Sequence, residues 1–376
     1  MNIAVNTRFL IKNKLEGIGW FTYETMKRIT ENHPEHTFYF IFDRPYDKEF
    51  IFSDNIKPII VRPPARHPFL FYYWFEIAIP KILKKIGADL FISPDGYLPL
   101  KTDIPSISVI HDISFMHNPK DFPWLIRKYY TCFFPRFAKK ASKIVTVSEF
   151  SKNDISEKFN IDKNEITVIY NGSNKLYTPP SENDIVHTRN RYSEGNHFFI
   201  FVGALSPRKN VTNLLKAFDL FKNKSQNNFK LLIVGEKMFK TKSLEKAYKN
   251  MKFKDEVIFT GRMNPSELRN LYGASYALTF VSNFEGFGIP ILEAMNCNTA
   301  VITSNVTSMP EVAGEAALLV NPFSVESIAE TLLEIYEDKN LRKRLIEKGV
   351  HQCKKFSWDK TADKFWNSIE EVIYEK

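Results

Sequence analysis

Two glutamates eight positions apart bracket a glycine-bearing turn in the string Glu285-Gly-Phe-Gly-Ile-Pro-Ile-Leu-Glu293. An ionised carboxylate only accepts hydrogen bonds, which suits the vicinal hydroxyls of a sugar or a ribose. Gly286 and Gly288 remove side chains where a ligand can approach the main chain, and the first amides of the following helix have no partner within it. Taken alone, the string also fits a plainer reading, with Glu285 capping the helix dipole and Glu293 solvated on its face. A second string, Phe199-Ile-Phe-Val-Gly-Ala-Leu-Ser-Pro-Arg-Lys-Asn210, places Gly203, then Arg208 and Lys209, ahead of an expected Asn cap. A guanidinium fork and a compact ammonium beside a helix start are suited to a diphosphate. Two solvated loop cations are the plainer alternative.

His111 and Asp112 close the apolar run Ser106-Ile-Ser-Val-Ile-His-Asp112. The imidazole there can bond a sugar hydroxyl or carry protons near neutral pH, and Asp112 either orients it or caps the next turn. Weaker candidates are Gly17 and Gly19, expected immediately before an amphipathic helix, and Asp95, which follows another apolar run and would face an acceptor. Asn171-Gly172 reads first as a turn. No two aspartates stand one residue apart, so the paired-aspartate metal motif of one large class of sugar-transfer enzymes is missing. Neither dinucleotide, P-loop nor serine-elbow signatures occur.

These residues need strand ends to hold them. Apolar, β-branched runs alternate with helix-like segments through most of the chain, the pattern of α/β domains with parallel sheets. Strands are expected near 2–7, 37–42, 57–61, 89–92, 105–110, 143–147 and 166–169. After the linker-like Tyr177-Thr-Pro-Pro-Ser-Glu-Asn-Asp184, they resume near 198–203, 229–234, 256–260, 276–282, 299–303 and 317–320. Helices are expected at the end, near 324–337, 340–352 and 358–375. At 376 residues the chain fits two domains, 1–178 and 179–357, with a cleft between the carboxyl edges of two doubly wound sheets.

Cys132, Cys297 and Cys353 lack disulfide or metal-ligand spacing, which favours a reducing cytoplasm. The first residues read directly as a strand, with no room for a signal peptide. The net charge of +9 is concentrated in the first half, which carries +6 over residues 1–178. Basic residues there lie beside aromatics in 66–85 and 120–143. Such helices either pack their rings inward or rest on an anionic bilayer surface.

The strings Glu285–Glu293 and Gly203–Asn210, with Val109-Ile-His-Asp112, Thr146-Val-Ser-Glu-Phe-Ser151, Val168-Ile-Tyr-Asn-Gly172 and Pro310-Glu311, resemble the retaining glycosyltransferases of family GT4. That resemblance implies the GT-B fold, two Rossmann-like domains facing a central cleft, with the helix of 358–376 packed back on the first. It implies that Glu285 contacts the donor sugar, that main-chain amides around Phe287, Gly288 and Ile289 meet its hydroxyls or the distal phosphate, and that Glu293 holds the ribose. Arg208 and Lys209 would neutralise the diphosphate, His111 would face the transferred sugar, and Arg262 and Met263 would border the base. Gly17, Gly19, Asp95 and Asp112 would lie on the acceptor and phosphate side. The chain departs from many relatives in carrying Ala204 where an arginine follows the glycine.

The implied activity is transfer of a hexose from a nucleotide sugar, without metal or other cofactor, to a polysaccharide, O-antigen or lipid-linked glycan. The string His111-Asp-Ile-Ser-Phe115 is most similar to O-antigen mannosyltransferases, which favours GDP-mannose. A UDP-sugar donor, a nucleotide-sugar 2-epimerase, or a basic nucleic-acid- or membrane-binding module are the alternatives. The transferase reading carries the expectation of no nucleic-acid partner and of a cytoplasmic protein at the inner membrane face.

Overall fold

The central strand segments are short runs with side chains buried on both faces, as in Phe198-Phe-Ile-Phe-Val202, where every residue is buried, while edge segments such as Ile56–Ile60 are partly exposed. A sheet covered by helices on both faces demands such continuous apolar runs. The computed structural model describes residues 1–236 and 242–374. Two compact units result, one formed by Met1–Gly172 and the chain from Ser357 onward, the other by Ser173–Phe356.

The first unit holds β1 (Asn2–Asn6), β2 (Thr37–Phe42), β3 (Ile56–Ile60), β4 (Leu90–Ser93), β5 (Ser106–Val109), β6 (Lys143–Thr146) and β7 (Ile166–Val168). All pair in parallel, in the order β3-β2-β1-β4-β5-β6-β7. The second unit holds β8 (Phe198–Val202), β9 (Lys230–Val234), β10 (Val257–Gly261), β11 (Ala277–Phe280), β12 (Ala300–Ser304) and β13 (Ala317–Val320). These are also parallel, in the order β10-β9-β8-β11-β12-β13. In each sheet the winding reverses once, between β1 and β4 and between β8 and β11. The carboxyl ends of the strands at such a reversal are where open α/β sheets bind ligands.

The helix Gly17–Asn32 presents Phe21, Thr25 and Ile29 inward at four-residue spacing. It begins at Gly17 rather than after Gly19, so both glycines lie in its first turn, behind an extended Glu16. A Cβ on Gly19 would stand 2.9 Å from the Phe9 carbonyl oxygen, which makes close packing a sufficient reason for that glycine.

The final helix, Trp358–Tyr374, belongs to the first unit; residues 375 and 376, expected at its end, lie outside the described residues. Asp359 accepts from Arg28 Nε at 2.6 Å, Glu371 from Lys143 Nζ at 2.5 Å, and Trp366 stacks on His33 with centroids 3.6 Å apart. A Cβ on Gly172 would lie 2.2 Å from the Trp358 nitrogen. Gly172 is therefore more than a turn residue, because only hydrogen fits where this helix begins. The units divide after Gly172, upstream of the expected boundary at 178, because residues 173–177 already pack on the second unit, where Asn296 Nδ2 donates to Ser173 Oγ at 2.5 Å and the Tyr177 ring lies 5.8 Å from that of Tyr272, just ahead of the contacts made by Arg269. Its Nε donates to Thr178 O at 2.9 Å and its Nη2 to Pro179 O at 3.0 Å.

Candidate active site

In the second unit, the loops after β8 and β11 flank the point where the strand order reverses. Gly203 (φ +152°) and Gly235 (φ +146°) adopt backbone conformations suited to glycine. A Cβ on Gly235 would fall 1.9 Å from the Gly203 carbonyl oxygen, so the ends of β8 and β9 touch main chain to main chain. Past Gly203, a single 3-10 turn, Pro207–Lys209, delivers both cations. Lys209 Nζ donates to Glu285 Oε1 at 2.6 Å and Arg208 Nη1 to Glu285 Oε2 at 2.8 Å. Arg208 Nη1 also donates to Phe284 O at 2.9 Å, and the Lys209 ammonium stands 4.8 Å over the Phe280 ring. The two cations expected to meet a diphosphate and the carboxylate expected to meet the sugar thus form one ion triad.

The triad is held by groups that sequence reasoning missed. Asn210 precedes the helix Val211–Ser225, as expected of a cap, but its side chain makes no capping bond. Its Nδ2 instead donates to Val281 O at 3.0 Å and Pro322 O at 2.7 Å, while Asn283 N donates to Arg208 O at 2.8 Å. Ser308 Oγ lies 2.9 Å from Glu285 O and 3.0 Å from Phe287 O, and Glu285 N donates to Thr307 Oγ1 at 3.3 Å. Gly235 alone had a legible sign, a glycine directly after an apolar run.

Burial by itself would raise the Glu285 carboxyl, but Arg208 and then Lys209 outweigh it and hold the group at about 2. Glu285 is therefore ionised at neutral pH. Glu293 has different company. It is half-buried on the helix Ile289–Asn296, and its Oε2 accepts from Tyr272 Oη at 2.8 Å. Burial pushes this carboxyl up to about 7, against the opposing pull of Tyr272 and Tyr177. The two glutamates of one string thus belong to different clusters, and near neutral pH Glu293 holds a proton part of the time.

Gly288, at φ +106°, precedes that helix, and Ile289-Pro290 opens it. Gly286 and Phe287 are buried between Glu285 and this helix start, with the Phe287 ring 5.7 Å from that of Phe356. Arg262 and Met263 follow β10, at the sheet edge; Arg262 is exposed, and the Met263 sulfur lies 4.0 Å from Tyr192 Oη.

The first unit has its own cluster at the reversal between β1 and β4. Asp95, expected to face an acceptor, is instead engaged within the unit. Its Oδ2 accepts from Arg8 Nε at 2.5 Å, and its Oδ1 from Asn6 Nδ2 at 2.8 Å and Ser93 Oγ at 2.9 Å. His111 Nε2 stands 2.9 Å from Pro94 O. A carbonyl only accepts, so Nε2 carries the hydrogen and Nδ1 is the acceptor nitrogen of the neutral ring. Burial lowers the imidazole pKa, with Pro94, Asp112 and Asp95 pulling the other way. Asp112 does not hydrogen-bond the ring; its Oδ1 accepts from Ser114 N at 2.8 Å and caps the following turn. Among the described residues no group of three His, Cys, Asp or Glu side chains is placed to hold a metal ion, and no helix is long and apolar enough to cross a membrane.

Residues 183–352 match the family model Glycosyl transferases group 1, and residues 15–174 match Glycosyltransferase Family 4. The chain is 29% identical to the O-antigen chain mannosyltransferase B of Escherichia coli, over 72% of this chain and 71% of the relative. It is 32% identical to the O-antigen chain mannosyltransferase RfbU of Salmonella typhimurium, over 72% of this chain and 70% of the relative. In fold it is similar to WaaG, a glycosyltransferase involved in lipopolysaccharide biosynthesis, with a TM-score of 0.76 and 16% identity over the whole of both chains. With two parallel, doubly wound units in the structure and family models covering both halves of the sequence, the chain belongs to the group 1, family 4 glycosyltransferases and has the GT-B fold.

Proposed function

We propose that this glycosyltransferase moves mannose from GDP-mannose, with retention of configuration, to an O-antigen or other lipid-linked glycan acceptor. The observation that carries the reading is the triad of Arg208, Lys209 and Glu285 at the order reversal of the second sheet. An incoming diphosphate competes with Glu285 for the two cations. As it takes them up, the carboxylate oxygens become available to the hydroxyls of the donor sugar. Charge building on the departing phosphate then meets cations already in place, so the reaction needs little rearrangement. The bond from the anomeric carbon to the phosphate oxygen breaks, and the acceptor hydroxyl oxygen bonds that carbon on the same face. Its proton passes to the departing phosphate, and no metal is required.

In this reading the amides around Gly286 to Ile289 meet the sugar or distal phosphate, Glu293 the ribose, and Arg262 and Met263 the base. His111, as a neutral imidazole, accepts from a sugar hydroxyl, and the first unit, from Gly17 and Gly19 onward, takes the acceptor. The names of the two mannosyltransferase relatives support the choice of sugar. Incubation with GDP-mannose, UDP-glucose, UDP-galactose and UDP-N-acetylglucosamine, with a lipid-linked glycan and with chelator present, tests it. Mannose transfer with an α-linked product by NMR is expected. Transfer from a UDP-sugar alone, an inverted product, or loss of turnover with chelator would each overturn the part concerned.

The same reading puts the enzyme in the cytoplasm at the inner membrane face, where a lipid-linked acceptor is presented. The helical run Pro68–Ile86 exposes Phe69 (72% accessible) in its first turn and Lys81, Lys84 and Lys85 near its end, and the helix Trp124–Lys140 exposes Trp124 (63%), with Lys128 5.6 Å over its ring. Cations around exposed rings suit an anionic bilayer surface. Flotation with phosphatidylglycerol-containing vesicles should fall when the three lysines are neutralised, and unchanged flotation rejects the contact.

A further inference from the structure

The loop Ser93–Tyr97 is pinned at three consecutive residues. Pro94 O receives the His111 ring at 2.9 Å, both Asp95 oxygens are occupied by Arg8, Asn6 and Ser93, and Gly96 O accepts from Ser108 Oγ at 3.0 Å. The proline ring fixes its own φ. The direction of the Pro94 carbonyl is then set by the peptide plane it shares with Asp95. Asp95 is itself gripped by Arg8, whose guanidinium lies 4.2 Å from the Tyr97 ring centroid and 5.3 Å from those of Phe71 and Phe75. The two side chains are 5% and 2% exposed, so neither reaches a ligand directly. Phe21 closes the other side of the imidazole, edge-on at 5.1 Å.

We propose that Arg8 and Asp95 are positioning residues for His111: through the Pro94 carbonyl they hold its ring as the Nε2–H tautomer, presenting Nδ1 as the acceptor. Which nitrogen of a histidine carries the proton is decided by the partner of the other one. Here that partner is a main-chain carbonyl held rigid by a buried ion pair. The inference rests on the reading that His111 contacts the transferred sugar.

Imidazole-labelled nitrogen NMR of the whole protein tests it, in wild type, Asp95→Asn and Arg8→Lys, with His111→Ala to assign the resonance and transfer kinetics on all four. Asparagine at 95 presents an N–H where Arg8 donates, and lysine at 8 keeps the charge but loses the fork. The wild-type ring is expected wholly as Nε2–H. In Asp95→Asn both tautomers should appear, with kcat down about tenfold and KM for the donor within about twofold, a rate loss corresponding to about 1.4 kcal/mol of barrier. Arg8→Lys should move in the same direction by a smaller amount, and it decides the matter if Asp95→Asn does not fold. An unchanged tautomer in a folded variant overturns the positioning role, even if stability falls. Near wild-type turnover of His111→Ala would instead remove the underlying reading of His111 while leaving the tautomer result intact.

Discussion

The two sheets place ion pairs at equivalent points, and the pairs are built for opposite purposes. At the reversal of the first sheet, one arginine meets one aspartate, sealed under Tyr97, Phe71 and Phe75. At the reversal of the second, two cations converge on one glutamate, and the Arg208 side chain is 28% exposed. The same topological position thus supports either a closed structural clamp or an open ionic set that an anionic ligand can enter. A one-to-one buried pair has nothing to exchange. Two cations sharing a carboxylate can pass to a diphosphate.

The largest expected effect comes from Glu285→Gln. Removing one member of a buried ionic group and leaving the others costs about 3–5 kcal/mol, and here two cations lose their shared partner. The corresponding Asp95→Asn leaves only Arg8, partly stabilised by ring faces, and should cost less, about 1–3 kcal/mol. Urea unfolding of both variants measures the difference, and equal costs would break the comparison. The sign with pH is fixed. The native Glu285 carboxyl, at about 2, lies below its unfolded value of about 4.3, so its stabilisation is present above that value and fades as pH falls toward 2. The gap between wild type and Glu285→Gln should therefore narrow in acid.

Next in size is Lys209→Met. Arg208 still opposes Glu285 in this variant, so its melting temperature should fall less than that of Glu285→Gln. Turnover should nonetheless drop about 100-fold, equivalent to about 2.7 kcal/mol of transition-state stabilisation, with weaker binding of the nucleoside diphosphate. Near wild-type transfer would show that the second cluster is as structural as the first.

The fold was largely legible because its strands are apolar runs between breakers, and each of the thirteen expected runs overlaps an observed strand. Glu285, Arg208 and Lys209 were legible as residue types at strand ends. Their partnership was not, since Lys209 and Glu285 are 76 positions apart and no local pattern encodes a tertiary ion pair. The same limit hid Asn210, whose amide serves Val281 and Pro322 rather than its own helix, and the role of Asp95, whose exposed-looking Ser-Pro-Asp-Gly setting gave no sign of Arg8. Gly17 and Gly19 misled the helix start because glycine disfavours helix interiors; Gly17 is exposed with nothing close to where a Cβ would stand, and Gly19 is kept by the close approach of the Phe9 carbonyl.

The smallest expected effect separates the two glutamates of the opening string. Glu293, pushed up to about 7 by burial that the Tyr272 and Tyr177 hydroxyls only partly offset, holds its proton in the folded chain at pH values where the unfolded chain has lost it. Its burial therefore costs nothing below about 4.3, the unfolded value, increasingly destabilises the fold as pH rises from there to about 7, and levels off above. Glutamine keeps the shape without the charge. Glu293→Gln should melt close to wild type near pH 4 and above it at pH 8, by an amount equivalent to about 1 kcal/mol or more, while binding of GDP weakens a few-fold if the carboxylate accepts from the ribose. Thermal melts at the two pH values, with and without GDP, read both. A variant less stable than wild type at pH 8 would mean that the tyrosine hydroxyls stabilise the ionised carboxylate more than burial disfavours it. The opposite pH responses expected of Glu285 and Glu293 follow from what opposes burial at each carboxylate: two cations that outweigh it in one case, two phenols that do not in the other.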